Sequence, residues 1–147
     1  ISLHAGDDFI SLYKKSLVFN KNISNEVGKN IISTYKRASN ILDQELKKQK
    51  EKILGQPDSI LFNKEEEKFF FEKINEIRKY FSTNLKREDY TQTLQILAEA
   101  KNITDNFFDN VIVNDDNLDI KKNRLELLQM FCMTYNNFID FSKVEGA

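Results

Sequence analysis

Little in this chain is equipped for bond chemistry. Among 147 residues there is one His, one Cys, one Pro and four Gly. A single Cys cannot close an internal disulfide, and one Cys with one His cannot complete a zinc site. Gly6, Gly28, Gly55 and Gly146 are scattered, so no glycine-rich phosphate loop exists. So few chain breakers argue against an all-β sandwich and against an α/β protein with many tight turns. No apolar run approaches the ~20 residues of a membrane span, and no charged-then-apolar signal segment opens the chain. What is present is 40% apolar and 31% charged side chains, enough hydrophobes to offset the entropy of ordering. The length suits one domain, able to bury roughly 68–70% of its unfolded surface. The expectation is a single all-α, cytoplasmic domain over residues 1–147. The chain opens on Ile1 rather than Met, and is read as a fragment of a larger chain.

Bulk charge says little, since 22 basic side chains face 23 acidic ones. The distribution says more. Residues 1–63 hold 10 basic and 7 acidic side chains, a net of +3, whereas residues 64–147 hold 12 and 16, a net of −4. A polyanion should prefer the first half. Only 4 basic residues are Arg and Asn is abundant, which reflects genome composition more than function.

Periodicity predicts a bundle of about five main helices and no convincing strand. The first is expected over about Asp8–Phe19, followed by a polar break and a possible N-cap at Ser24. The second runs over about Asn25–Lys52. Its Val27, Ile31, Tyr35, Ala38, Leu42 and Leu46 recur at spacings of 4, 4, 3, 4 and 4, a core-facing stripe. Gly55-Gln56-Pro57-Asp58 supplies turn chemistry. The third is expected over about Asn63–Asn84, capped by Asn63. Its stripe is Phe70, Ile74, Ile77, Phe81 and Leu85, widened by Phe69 and Phe71, and Glu65–Glu67 are read as a solvated helix start. The fourth begins near Asp89 and uses Leu94, Leu97 and Ile103. The fifth covers about Leu118–Phe138, with Leu125, Leu128, Phe131, Tyr135 and Phe138 on one face.

Nucleophilic catalysis needs a nucleophile, a base and an orienting group in contact. His4 lies in the N-terminal stretch and Cys132 in the middle of an apolar helix face, where it reads as a small core hydrophobe. Asp115, Asp116 and Asp119 lack the Gly and closing Glu of a calcium loop, and read as a solvated turn that caps the fifth helix. No catalytic and no metal-binding residue is expected, and no cofactor in this domain. One constellation does suggest binding. At about 100° per residue, Lys36, Asn40 and Arg37 fall within one arc of the second helix, joined by Lys29, Ser33 and Gln44, opposite the apolar stripe. Arg and Lys pair with phosphate, and Asn can read a base edge. An ordinary solvated face contains the same residues, and spacing alone favours that reading.

A family resemblance sharpens this reading. Tyr35-Lys36-Arg37-Ala38-Ser39-Asn40-Ile41-Leu42 resembles a segment of the C-terminal anticodon-binding domain, of DALR type, in bacterial glycyl-tRNA synthetase beta subunits. Asp105-Asn106-Phe107-Phe108-Asp109-Asn110-Val111-Ile112-Val113 is similar to that family's FFDxVxV segment. Asn123-Arg124-Leu125-Glu126-Leu127-Leu128 is similar to its NRLxLL segment. Tyr90, Leu94 and Leu97 precede them in the family order, and Ile139–Val144 resembles the family's closing stretch. The match covers about residues 31–144. Arginyl-tRNA synthetases carry a related domain, but close on a Met- and Arg-containing end that this chain lacks.

The resemblance implies a helical, noncatalytic domain that engages the anticodon arm of tRNA-Gly. It implies a parent ligase that uses ATP and Mg²⁺ to glycylate tRNA-Gly and is assembled from alpha and beta subunits as a heterotetramer. Within it, Lys36, Arg37, Asn40 and Lys29 are the expected tRNA contacts. Phe107, Phe108, Asp109, Val111, Asn123, Arg124 and Leu125 form the structural motif. The two aromatics and the valines are expected in the core, and Arg124 is expected to pair with a local carboxylate such as Asp109, or with backbone carbonyls. The alternative from another class is a helical protein-docking domain with no RNA role.

Overall fold

In the computed structural model, residues 26–48, 55–84 and 90–138 are described. Their regular structure is helical throughout: α1 (Glu26–Lys47), a 3₁₀ turn (Ser59–Leu61), α2 (Glu65–Asn84), α3 (Tyr90–Glu99), α4 (Lys101–Asn110) and α5 (Leu118–Asn136). The all-α expectation holds, but the helices are partitioned differently. The helix expected at Asp8–Phe19, the Ser24 cap and the end of the second helix near Lys52 lie outside the described residues. The stretch expected as one fourth helix is two, α3 and α4, divided at Ala100.

The division is fixed by hydrogen bonds, one of them reaching across from α5. The Leu97 carbonyl accepts the Ala100 N–H at 3.4 Å and the Tyr135 hydroxyl at 2.7 Å. Thr104 then caps the far side, its backbone N–H and its hydroxyl both donating to the Ala100 carbonyl. Buried side-chain hydroxyls thus donate to backbone carbonyls that a break would otherwise orphan. Ala100 itself is buried, its side chain a single methyl group.

The stripe of α1 packs as read: Ile31, Tyr35, Ala38 and Leu42 are buried, with Val27 and Leu46 partly buried at its ends. The α2 stripe of Phe70, Ile74, Ile77 and Phe81 is buried too. Phe69 does not widen it; that ring is half exposed, whereas Phe71 lies against Phe62 at 5.4 Å between ring centres. The larger difference is α5. Instead of one face, nearly every residue from Asn123 to Tyr135 is buried, with only Met133 exposed. Leu127, Met130, Cys132 and Thr134 lie off the predicted stripe and are covered as well. A helix apolar on most sides must be surrounded, and α5 is packed by α1, by α2 and by the 3₁₀ turn. The aromatic centre joins three elements: Phe70 of α2 stacks on Phe107 of α4 at 4.5 Å and meets Phe131 of α5 at 5.4 Å, and Phe131 meets Tyr135 of the same helix at 4.3 Å.

Candidate functional site

The exposed face of α1 is built by periodicity alone. With Ile31, Tyr35, Ala38 and Leu42 turned inward, Lys29, Ser33, Lys36, Arg37, Asn40 and Gln44 are left exposed. The same wheel adds Lys47 at about +20° and Asp43 at about −20° from Lys36. Both are exposed, and neither was singled out from the sequence. The face is therefore basic but interrupted. At its edge Arg37 is engaged by α4. Its guanidinium carbon lies 4.6 Å from the centre of the Phe108 ring, and its terminal nitrogens lie 3.7 Å from carboxylate oxygens of Asp105 and Asp109. Phe108 is accordingly half-buried, not fully in the core as expected, because one of its faces is covered by Arg37 rather than by apolar side chains. Phe107, Val111 and Val113 are buried as expected.

The second constellation centres on Arg124, whose side chain is 2% exposed. Its Nε donates to Glu67 Oε1 at 3.0 Å, Nη1 to the Ile112 carbonyl at 2.6 Å and to Asp115 Oδ2 at 3.2 Å, and Nη2 to Asn63 Oδ1 at 2.7 Å. The expected backbone-carbonyl partner is present. The local carboxylate is Asp115 and not Asp109, because Asp109 lies on the exposed side of α4 and faces Arg37. Glu67, expected to be solvated, is fully buried. Its second oxygen accepts the backbone N–H groups of Asn63 and Lys64 at 2.9 and 3.0 Å. Glu67 thus stands at the third position of α2 and its side chain supplies the capping expected of Asn63. Asn63 is free to turn its carboxamide oxygen to Arg124.

The neighbours of Arg124 extend the arrangement. Asn123 pairs with the Asp58 backbone in both directions, accepting its N–H at 2.6 Å and donating to its carbonyl at 3.1 Å. Glu126 accepts the Gly55 N–H at 2.7 Å. A Cβ on Gly55 would sit 3.1 Å from that carboxylate, which would have to yield by a few tenths of an ångström to admit it. Asn123, Arg124 and Glu126 together fasten segment 55–67 along α5. Asp115 reaches Arg124 with one oxygen and accepts the Asn117 N–H with the other, and Asn117 caps α5. The partners Asn63, Glu67 and Asp58 carried no local signal in the sequence, apart from the capping spacing of Glu67.

Near the C-terminal end of α1, Glu45 lies 3.2 Å from Lys121 and 3.4 Å from Lys48. Burial pushes its carboxyl upward, but the hydrogen bond and charge of Lys121, helped by Lys48, outweigh this and hold the pKa below the ordinary value. Burial pushes the Cys132 thiol up to about 12, aided by the charge of Asp43. A thiol so shifted is a poor nucleophile. Among the described residues, no group of three or more His, Cys, Asp or Glu is placed to hold a metal ion, and no residue is assigned to Mg²⁺. Among them too, no helix is long and apolar enough to cross a membrane.

Comparison with known proteins agrees with these motifs. The model of the DALR anticodon binding domain matches residues 31–144. The chain is 35% identical over 119 residues, 81% of its length, to the glycine–tRNA ligase beta subunit of Rickettsia africae (strain ESF-5). It is 31% identical over 140 residues, 95% of its length, to that of Rickettsia canadensis (strain McKiel). It spans only 17% and 20% of those two relatives. With the family model covering most of the chain and the matched motifs lying in the fold just described, the chain belongs to the DALR anticodon binding domain family.

Proposed function

We propose that this chain is the anticodon-arm-binding domain of a glycine–tRNA ligase beta subunit. It positions tRNA-Gly and takes no part in bond chemistry. The observation that carries this is that relatives matching 81–95% of the chain are glycine–tRNA ligase beta subunits. The exposed Lys29, Lys36, Arg37 and Asn40 supply the groups such a role needs. In this reading Lys29 and Lys36 meet phosphates of the tRNA arm, where contact releases counterions, and Asn40 reads a base edge. Glycine activation with ATP and Mg²⁺ belongs to the rest of a cytoplasmic parent enzyme, assembled with an alpha subunit as a heterotetramer.

Gel-shift titration with tRNA-Gly and a non-cognate tRNA, at low and high salt, tests the proposal. Lys36→Ala should weaken both complexes about equally and lower the salt slope by about one. Asn40→Ala should narrow the gap between the two tRNAs. Absence of any salt-dependent tRNA binding by the wild type would refute the role and favour a protein-docking domain.

A further inference from the structure

Arg37 differs from its neighbours on α1 in what surrounds it. One side of its guanidinium rests over the Phe108 ring at 4.6 Å. Its two terminal nitrogens are flanked by Asp105 and Asp109 at 3.7 Å each. Asp105 is also paired with Lys101 on the next turn of α4. Two cations and two carboxylates therefore cancel at this seam. Even so, 46% of the Arg37 side chain stays exposed.

A phosphate approaching this seam would meet two carboxylates beside the one cation it seeks. Little counterion release follows from a cluster that is already neutral. A flat, uncharged partner meets no such opposition. The guanidinium is planar and delocalised, stacks on aromatic faces and stacks equally on nucleobases. Phe108 beneath it and the carboxylates beside it hold it before any ligand arrives, which lowers the entropy lost on binding.

We propose that Arg37, backed by Phe108, is a stacking platform for one unpaired nucleobase, so that it engages RNA through its plane and not through its charge. This rests on the reading of the chain as a tRNA-binding domain. Phe108 is a positioning residue, and Asp105 and Asp109 hold the guanidinium in place.

The test uses the full-length protein that carries this chain, with two RNAs: the anticodon stem-loop of tRNA-Gly, and a duplex of the same stem without unpaired bases. Arg37→Lys keeps the charge and loses the plane. It should weaken stem-loop binding as much as Arg37→Ala does, about five- to 150-fold, the range for one stacked base. Duplex binding and the salt slope should stay unchanged for both variants. Phe108→Leu, which keeps apolar packing but removes the ring, should lose part of the same affinity with Arg37 intact. Circular dichroism melting verifies that each variant is folded. Wild-type affinity in Arg37→Lys, or a slope lowered by about one in Arg37→Ala, would overturn the proposal in favour of a phosphate contact. A wild type that binds neither RNA would overturn the tRNA-binding reading itself.

Discussion

Arg124 Nε and Glu67 Oε1 lie 3.0 Å apart across 57 positions of sequence, with side-chain exposures of 2% and 0%. This buried pair joins the central helix to the start of α2. Every oxygen of Glu67 and every nitrogen of Arg124 has a partner, so the burial of both charges is compensated.

Removing one member strands the other. Arg124→Ala or Glu67→Ala should each cost about 3–5 kcal/mol in urea unfolding. The double variant should lose far less than the sum. Additive losses would show that the two groups are not coupled. Asp109→Ala, by contrast, disturbs only an exposed ion pair and should cost at most about 1 kcal/mol.

The adjacent phenylalanines should differ sharply. Phe107 is fully buried and stacked on Phe70, so Phe107→Ala should cost about 3–5 kcal/mol. Phe108 touches the core from one side and Arg37 from the other, so Phe108→Ala should cost about 1–2 kcal/mol, nearer the value of a partly buried side chain. Equal losses in thermal or urea unfolding would contradict the difference in burial.

Glu45 makes stability fall in acid. Its folded pKa lies below its unfolded value, which is near 4.5, so the unfolded chain takes up the proton first as pH drops. The stabilisation is present in full above about pH 4.5 and is lost as pH falls through the folded pKa. Glu45→Gln should lose about 1 kcal/mol at pH 7 and show a shallower decline below pH 4.5 than the wild type. A pH profile of unfolding free energy, parallel in the two proteins, would show that the Lys121 pair contributes nothing.

Cys132 should be inert while the protein is folded. A shift from 9.0 to about 12 lowers the thiolate fraction near pH 8 roughly a thousandfold, before burial of the sulfur is counted. Iodoacetamide should label it slowly in buffer and rapidly in urea. Fast labelling of the native protein would mean that α5 opens locally.

The sequence alone determined which helix faces turn inward wherever local pattern and burial coincide. The α1 stripe is the clearest case, because apolar residues every three or four positions leave one stable orientation. Its complement, the exposed Lys29, Lys36, Arg37 and Asn40 face, was legible for the same reason. The helical family followed from ordered motifs, in which Phe107, Val111, Asn123 and Arg124 stand at fixed separations.

Tertiary structure decided what those polar motif residues touch. Arg124 has several carboxylates within reach along the chain, and nothing local distinguishes Asp109 from Asp115 or from Glu67. Choosing among them required α2 to lie against α5, which places a carboxylate from 57 positions away beside the guanidinium. The break at Ala100 depended likewise on Tyr135, 38 positions from Leu97, reaching a carbonyl that helical periodicity would have left inside the helix. Arg37 obeyed its predicted exposure, yet its neutralised setting depended on α4 bringing Phe108, Asp105 and Asp109 alongside. Periodicity reports the direction in which a side chain leaves its own helix. Long-range hydrogen bonds and ion pairs depend on the relative placement of separate helices, which a pattern within one helix does not encode.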